Sequence, residues 1–451
     1  MITMFLTLFY VLISLLLLNL VIIIHELGHY SAARFFGFYA QEVSIGFGRL
    51  LFQSIDNHNT RWSLRLWPLG GYVDFYSHDV SSQSIRYASL GYFKQTCIIL
   101  GGIFANLVTA FLILTLCFYS GFYDRRMIVM EVSPSSPAYQ LGIRSGDQLL
   151  TINNNPCVNW EITQLAMILY HANAQEFTIE YSQDGETFKN SVSTGNWDTI
   201  SQEHSILDRF GTTPIYDRYS LRIQSVLPNS PAQQHGLVSG DKIYSFDSIP
   251  LSNAEDLVKY IYARPYQTVT IRVEKSELEI VDINITLGAK GLIVPTGFLG
   301  ARFFPSLSYD DIYVYHTYDL STSVYLAGKT ILYYLATSMF IIAYVITGKM
   351  SLSVFSGPIY IIAQTQQLLG YQQIILTLRW FAAINICLAF VNLLPLPVLD
   401  GGQWLLLTLE KLFHRPIPGN IKSWLYAICY GGLLGLVVTV SILDLQKVLL
   451  G

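Results

Sequence analysis

Leu18-Asn19-Leu20-Val21-Ile22-Ile23-Ile24-His25-Glu26-Leu27-Gly28-His29 closes an uncharged run that begins at residue 5. Residues i and i+4 share one face of a helix, so His25 and His29 can reach one metal ion. Zinc accepts two such imidazole nitrogens, a third protein ligand and a water. Glu26 lies one position round the helix, off the ligand face. Its carboxylate can take a proton from water polarised by the metal during attack on a carbonyl. Chance would also produce this spacing now and then, but here it ends a run long enough to cross a bilayer. Ionisable groups at membrane depth are costly, and three within five residues favour function.

A third ligand is required. Position 35, six residues beyond His29, is Phe35, so the pattern of a third nearby His fails. Glu42 lies beyond Gly37, off the helix. Asp400 is the better candidate, in Asn392-Leu393-Leu394-Pro395-Leu396-Pro397-Val398-Leu399-Asp400-Gly401-Gly402. It follows an uncharged run and is the one ionisable group there. The alternative reading is an Asp-Gly turn that ends a kinked helix.

The composition agrees with a membrane location. Of 451 residues, 52% are hydrophobic and 13% charged, where soluble domains carry about 25% charge. Net charge is −4 and no basic block is present, so nucleic acid is not an expected partner. Cys97, Cys117, Cys157, Cys387 and Cys429 form no CxxC pair and no paired spacing, which argues against a thiolate zinc site and a disulfide framework. Residues 5–24 lack a basic flank and a small-residue cleavage site, and read as a retained transmembrane helix rather than a signal peptide.

Further apolar runs cover about 96–119, 331–346, 380–399 and the Gly-rich 425–443. The run 380–399 contains Asn385, Asn392, Pro395 and Pro397 and is expected to dip and turn, because proline removes helix hydrogen bonds. Arg34, Arg49, Arg61, Arg65, Arg86 and Lys94 place the first loop in the cytoplasm; Arg125 and Arg126 argue the other way.

Between about 124 and 320 the chain repeats itself. Val132-Ser-Pro134-Ser-Ser-Pro137-Ala138 returns as Val226-Leu-Pro228-Asn-Ser-Pro231-Ala232. Gly142, Gly146 and Asp147 return as Gly236, Gly240 and Asp241 at the same offset. Each copy continues with a strand-like run, a helix-like stretch from near Asn159 or Asn253, and alternating strands at 176–181 and 268–273. These repeats resemble PDZ domains in circularly permuted form. PDZ domains bind extended peptides at a sheet edge, so peptide C-termini are candidate partners; a steric spacer is the other reading.

An HExxH helix, two PDZ-like repeats and a distant NxxPxPxLDG segment, in that order, resemble the site-2 protease family of intramembrane zinc metalloproteases. Gly46-Phe47-Gly48, Pro68-Leu69-Gly70-Gly71-Tyr72-Val73 and Ser356-Gly357-Pro358-Ile359 extend the likeness over nearly the whole chain. The resemblance implies that His25, His29 and Asp400 bind zinc and that Glu26 is the catalytic acid/base. It implies that Asn392 contacts the substrate backbone, and Pro397 of the same segment is expected to bind substrate beside it. Residues 41–75 fit the family's β-structured loop, and the edge formed by Gly71, Tyr72 and Val73 is assigned to holding an unwound substrate extended. An amphipathic hairpin lying on the membrane surface is the plainer alternative. Gln403 departs from the family, where a His is expected.

The expected fold is thus a multi-pass α-helical membrane protein with a membrane-associated β-hairpin or sheet and two tandem PDZ-like α+β domains. Its expected parts are the first transmembrane helix (1–37), the β loop (38–95), the second transmembrane helix (96–120) and PDZ-like domains at 124–218 and 219–305. A linker with a third transmembrane helix (306–350), the NxxPxPxLDG membrane segment (351–403) and a C-terminal transmembrane helix (404–451) follow. The family implies regulated intramembrane proteolysis in the bacterial inner membrane. Its substrates are single-pass proteins, such as a trimmed anti-sigma factor of a stress response, and leftover signal peptides. The PDZ pair would sit in the periplasm as a size filter, with the active site toward the cytoplasm. A zinc transporter or metal chaperone is the rival class, but the apolar runs offer almost no further acids or histidines to line an ion path.

Overall fold

The computed structural model describes residues 2–75, 90–173, 176–193, 206–215, 219–251, 254–275, 279–290, 296–305, 309–348, 350–370 and 374–450. Arg86 and Asn253, used above, lie outside these. Helix α1 (Ile2–Phe35) carries the HExxH motif near its C-terminal end. Strands β1 (Glu42–Ile55) and β2 (Arg61–Asp74) follow, then helices α2 (Tyr92–Ile99) and α3 (Gly101–Ser120).

The hairpin is folded on itself. The far part of β1 pairs with the start of β2, from Ile55↔Arg61 to Phe52↔Leu64. The start of β1 lies on the other side of that segment, from Glu42↔Arg61 to Ile45↔Leu64, and also pairs with the end of β2, from Glu42↔Asp74 to Ile45↔Gly71. Gly46 and Gly48 sit at φ +86° and +84° in the bend, where a side chain would be strained. The result is a small sheet with Gly71, Tyr72 and Val73 on its outer segment.

The insert opens at strand Phe122–Arg125, which pairs with Tyr313–His316 and closes its neck. Two units of matching element order hang from it. In the first, Gln148–Ile152, helix α4 (Trp160–Asn173) and the hairpin Glu176–Gln183/Glu186–Ser193 follow Val129–Val132, and Thr212–Pro214 pairs back on that strand. In the second, Tyr219–Val226, Lys242–Phe246, helix α5 (Ala254–Tyr262) and Thr268–Glu274/Ile280–Thr286 repeat the order, and Ala301–Pro305 closes it. The duplicated Ser-Pro-Ala is a helix start in each: Ser136 and Ser230 accept the backbone N–H groups of Tyr139 and Gln233, with proline in the first turn. Each unit has its own apolar core, around Met167 and Phe177 in one and Phe246 and Ile271 in the other.

Helices α6 (Leu320–Ile346), α7 (Pro358–Gly370), α8 (Ile374–Leu393), α9 (Asp400–Phe413) and α10 (Gly419–Leu450) complete the chain. Among the described residues, five helices are long and apolar enough to cross a bilayer: α1, α3, α6, α8 and α10. The contacts distinguish α6 from the others. Asp400 meets His25 at one end of the helix bundle, while Arg379 near the start of α8 pairs with Asp124, just beyond α3, at the other. The chain between α3 and α8 therefore starts and finishes at the same end. One crossing by α6 would need a return, and α7, at about 20 Å, is shorter than the hydrocarbon layer of about 30 Å. Phe340, Ile341, Tyr344 and Val345 of α6 pack on the core of the first unit, and Leu326 and Ala327 near its start pack with Ala110 and Leu114 of α3 and Ala382 and Ile386 of α8. The expected third transmembrane helix is found as α6, with Tyr325, Leu332, Met339 and Ile346 exposed along one side.

Helix α6 also starts well before the apolar run, at Leu320, because the Asp319 side chain accepts the N–H groups of Ser321 and Thr322. The second expected span begins at Gly101, after a break that separates it from α2. The run 380–399 is not one segment. Helix α8 begins at Ile374 and ends at Leu393, so Pro395 and Pro397 lie beyond the helix rather than kinking it. All five cysteines are free thiols.

Candidate metal centre

Three elements converge at one end of the bundle. Helix α1 supplies His25 and His29 one turn apart. Helix α9 supplies Asp400 in its first turn, after an extended Leu399. The two glycines after Asp400 explain that entry: a Cβ on Gly401 would sit 2.2 Å from the Leu393 carbonyl oxygen, and one on Gly402 2.0 Å from that of Leu396. The chain 393–397 folds directly over the start of α9, which leaves no room for side chains and brings Asp400 back to α1.

Nε2 of His25 stands 3.0 Å from Oδ2 of Asp400, and Nε2 of His29 stands 3.3 Å from it. The two Nε2 atoms are 3.2 Å apart. Zinc bonds of about 2.0–2.1 Å at tetrahedral angles separate ligand atoms by roughly 3.3 Å, so this triangle has the right size. Oδ2 is buried and no hydrogen-bond donor is directed at it. The Nδ1 atom of His29 lies 2.8 Å from the Ile98 carbonyl, which fixes its proton there and leaves Nε2 with a free lone pair. Two imidazole nitrogens and a carboxylate oxygen in one small triangle fit a zinc ion.

A cavity of about 450 Å³ opens on this triangle. Glu26, Tyr72, Val73 and Asn392 line it together with the three candidate ligands. The Val73 backbone reaches the Glu26 carboxylate, and a Cβ on Gly71 would lie 3.6 Å from Glu26 Cγ. Gly71 stands behind the wall rather than in it. Pro397 is not among the lining residues; its ring nitrogen abuts Gly402 instead. Glu42, the other ligand considered, pairs with Arg65 at 2.8 Å, away from the triangle. Gln403 lines the cavity.

Sequence reasoning passed over several neighbours. Asn19, one of the buried polar side chains of α1, holds the backbone of Gly70. Asn106 and Gly102 of α3 face the imidazoles. A polar residue inside an apolar run was the available signal for both asparagines.

Residues 13–436 match the family described as Peptidase family M50. Protease RseP of Yersinia pestis is 28% identical over 424 residues, covering 91% of this chain and 92% of that protein. The regulator of sigma E protease of Haemophilus influenzae is 26% identical over 433 residues, covering 92% and 94%. Regulator of sigma-E protease RseP of Escherichia coli is 26% identical over 422 residues, covering 91% and 92%. Among solved structures, the PDZ domain of an SdrC-like protein from Listeria monocytogenes matches 20% of this chain at 23% identity, with a TM-score of 0.17.

Proposed function

The chain belongs to peptidase family M50, and on that premise we propose that it is an intramembrane zinc endopeptidase acting on transmembrane segments of single-pass proteins. The mutual spacing of His25, His29 and Asp400 carries this reading. Zinc in that triangle supplies Lewis acidity toward a peptide carbonyl and an acidified water. Glu26, on the cavity wall, takes the proton of the attacking water and passes it to the leaving amine.

A transmembrane substrate has satisfied its own backbone hydrogen bonds and must be unwound before it can be cut. Tyr72 and Val73 stand on the outer segment of the sheet, next to Glu26. A substrate strand added there would be held extended beside the carboxylate, with the Asn392 side chain on its other flank. Gly71 keeps the wall thin, and Pro397 shapes the turn that delivers Asp400 rather than touching substrate.

The two insert units are read as tandem PDZ domains, within the partition given above, except that α6 is read as lying along the insert because the end of α3 and the start of α8 meet at one end of the bundle. They would lie in the periplasm of a bacterial inner membrane and keep bulky, untrimmed proteins from the cavity, whose mouth faces the cytoplasm. The substrates would be an anti-sigma factor after a first cut and remnant signal peptides. The relatives' names support a sigma-E role for those proteins, and by likeness for this one. Membership of a peptidase family favours this over a transporter.

The test is zinc quantitation with a cleavage assay on a model single-pass substrate. Wild type should bind zinc and cleave; Asp400→Ala should lose both. Zinc at wild-type level in Asp400→Ala would refute the metal centre.

A further inference from the structure

Helix α3 presents Gly102 and Asn106, one turn apart, to the two imidazoles. A Cβ on Gly102 would stand 2.5 Å from His29 Nε2 and 2.6 Å from His25 Cε1, so α3 can approach only through a glycine. Asn106 is fully buried. Its side-chain nitrogen lies 3.4 Å from Nδ1 of His25, and its side-chain oxygen meets no donor.

That arrangement has two faults, with one remedy. An N–H group facing Nδ1 needs a lone pair there, which would put the imidazole proton on Nε2, the atom turned to Asp400. The buried oxygen is meanwhile unsatisfied, which is unfavourable. A half-turn of the carboxamide exchanges atoms of nearly identical shape. The oxygen then accepts the Nδ1–H of His25, and Nε2 is left with its lone pair.

We infer that Asn106 is a positioning residue: its carboxamide oxygen accepts the Nδ1 proton of His25 and fixes the tautomer that presents Nε2 to the metal. It does for His25 what the Ile98 carbonyl does for His29. The inference rests on the metal-centre reading above.

The full chain in detergent, stripped of metal, is titrated with Zn²⁺ against a chromophoric chelator and with Co²⁺ by visible absorption. Asn106→Leu should weaken zinc binding about 10- to 100-fold and alter the cobalt spectrum. Asn106→Asp, whose ionised carboxylate accepts but cannot donate, should keep zinc affinity and cobalt spectrum close to wild type. Wild-type zinc affinity in the Leu variant, or an Asp variant as weak as Leu, would overturn the role. If the Leu variant does not fold, Asn106→Ala takes its place with the same expectation, and the Asp variant separates acceptor from donor, since a donor role predicts its failure. His25→Ala is the separate control: full zinc binding there would sink the metal centre itself.

Discussion

The side-chain oxygen of Asn19 accepts the backbone N–H of Gly70 at 3.2 Å, which ties the sheet to α1 two turns before Glu26. The bond is buried, and it fixes the sheet's outer segment relative to the carboxylate. Amide hydrogen bonds contribute about 1 kcal/mol net, and more when breaking one strands a buried group.

Asn19→Leu should therefore lower the cleavage rate of a model substrate several-fold and leave zinc content at wild type. Loss of zinc in the same variant would show that Asn19 supports α1 itself rather than the sheet.

Glu26→Gln keeps the size of the side chain and removes its basicity. Proteolysis should disappear while zinc stays bound, because the amide cannot take a proton. A strong chelator should abolish activity in wild type, and Zn²⁺ should restore it. Residual cleavage by Glu26→Gln above the level of Asp400→Ala would place the proton acceptor elsewhere.

Helices α1 and α3 cross through Gly28 and Gly101. A Cβ on Gly28 would fall 2.3 Å from the Gly101 carbonyl oxygen and 2.6 Å from Ala105 Cβ. Close crossing through small residues is how membrane helices gain packing. Gly28→Val should cost about 1–3 kcal/mol and lower the thermal unfolding temperature in detergent, with partial loss of zinc. Gly328→Ala, with open space around it, is the control and should behave as wild type.

Arg379 joins the insert to the helix bundle. It is buried, donates to Asp124 at 3.0 Å, and pairs with Glu161 of α4, which Tyr334 of α6 also contacts. Arg379→Met would leave two carboxylates facing each other. Removing one partner of a buried pair costs about 3–5 kcal/mol; the lower end applies, because Glu161 is 38% exposed. Thermal unfolding should show the loss, and the triple variant with Asp124→Asn and Glu161→Gln should recover most of it. No recovery would mean that Arg379 acts by packing alone.

Deleting 128–305 should allow cleavage of untrimmed substrates. Their survival in a cleavage assay would defeat the filter.

The convergence of the candidate ligands was legible wherever residue type and spacing alone constrain it. His25 and His29 announce themselves at i and i+4, and Asp400 stands out as a lone acid after an apolar run. The double glycine after Asp400 could be read as a turn, but the close approach of 393–397 that requires it exists only in three dimensions. Asn19 and Asn106 look like isolated polar residues until their partners arrive from β2 and α1. Helix α6 was legible as an apolar run, but its contacts with both the first unit and the bundle exist only in three dimensions.

His25 and Asp400 lie 375 positions apart yet share one small triangle. A ribosome must deliver the chain through position 400 before that triangle can exist. The growing chain threads its first helix into a membrane crowded with other single helices while it still lacks the group that completes the centre. On the proposed reading, a chain stalled before position 400 would lack the carboxylate that completes the centre and could not cut its neighbours.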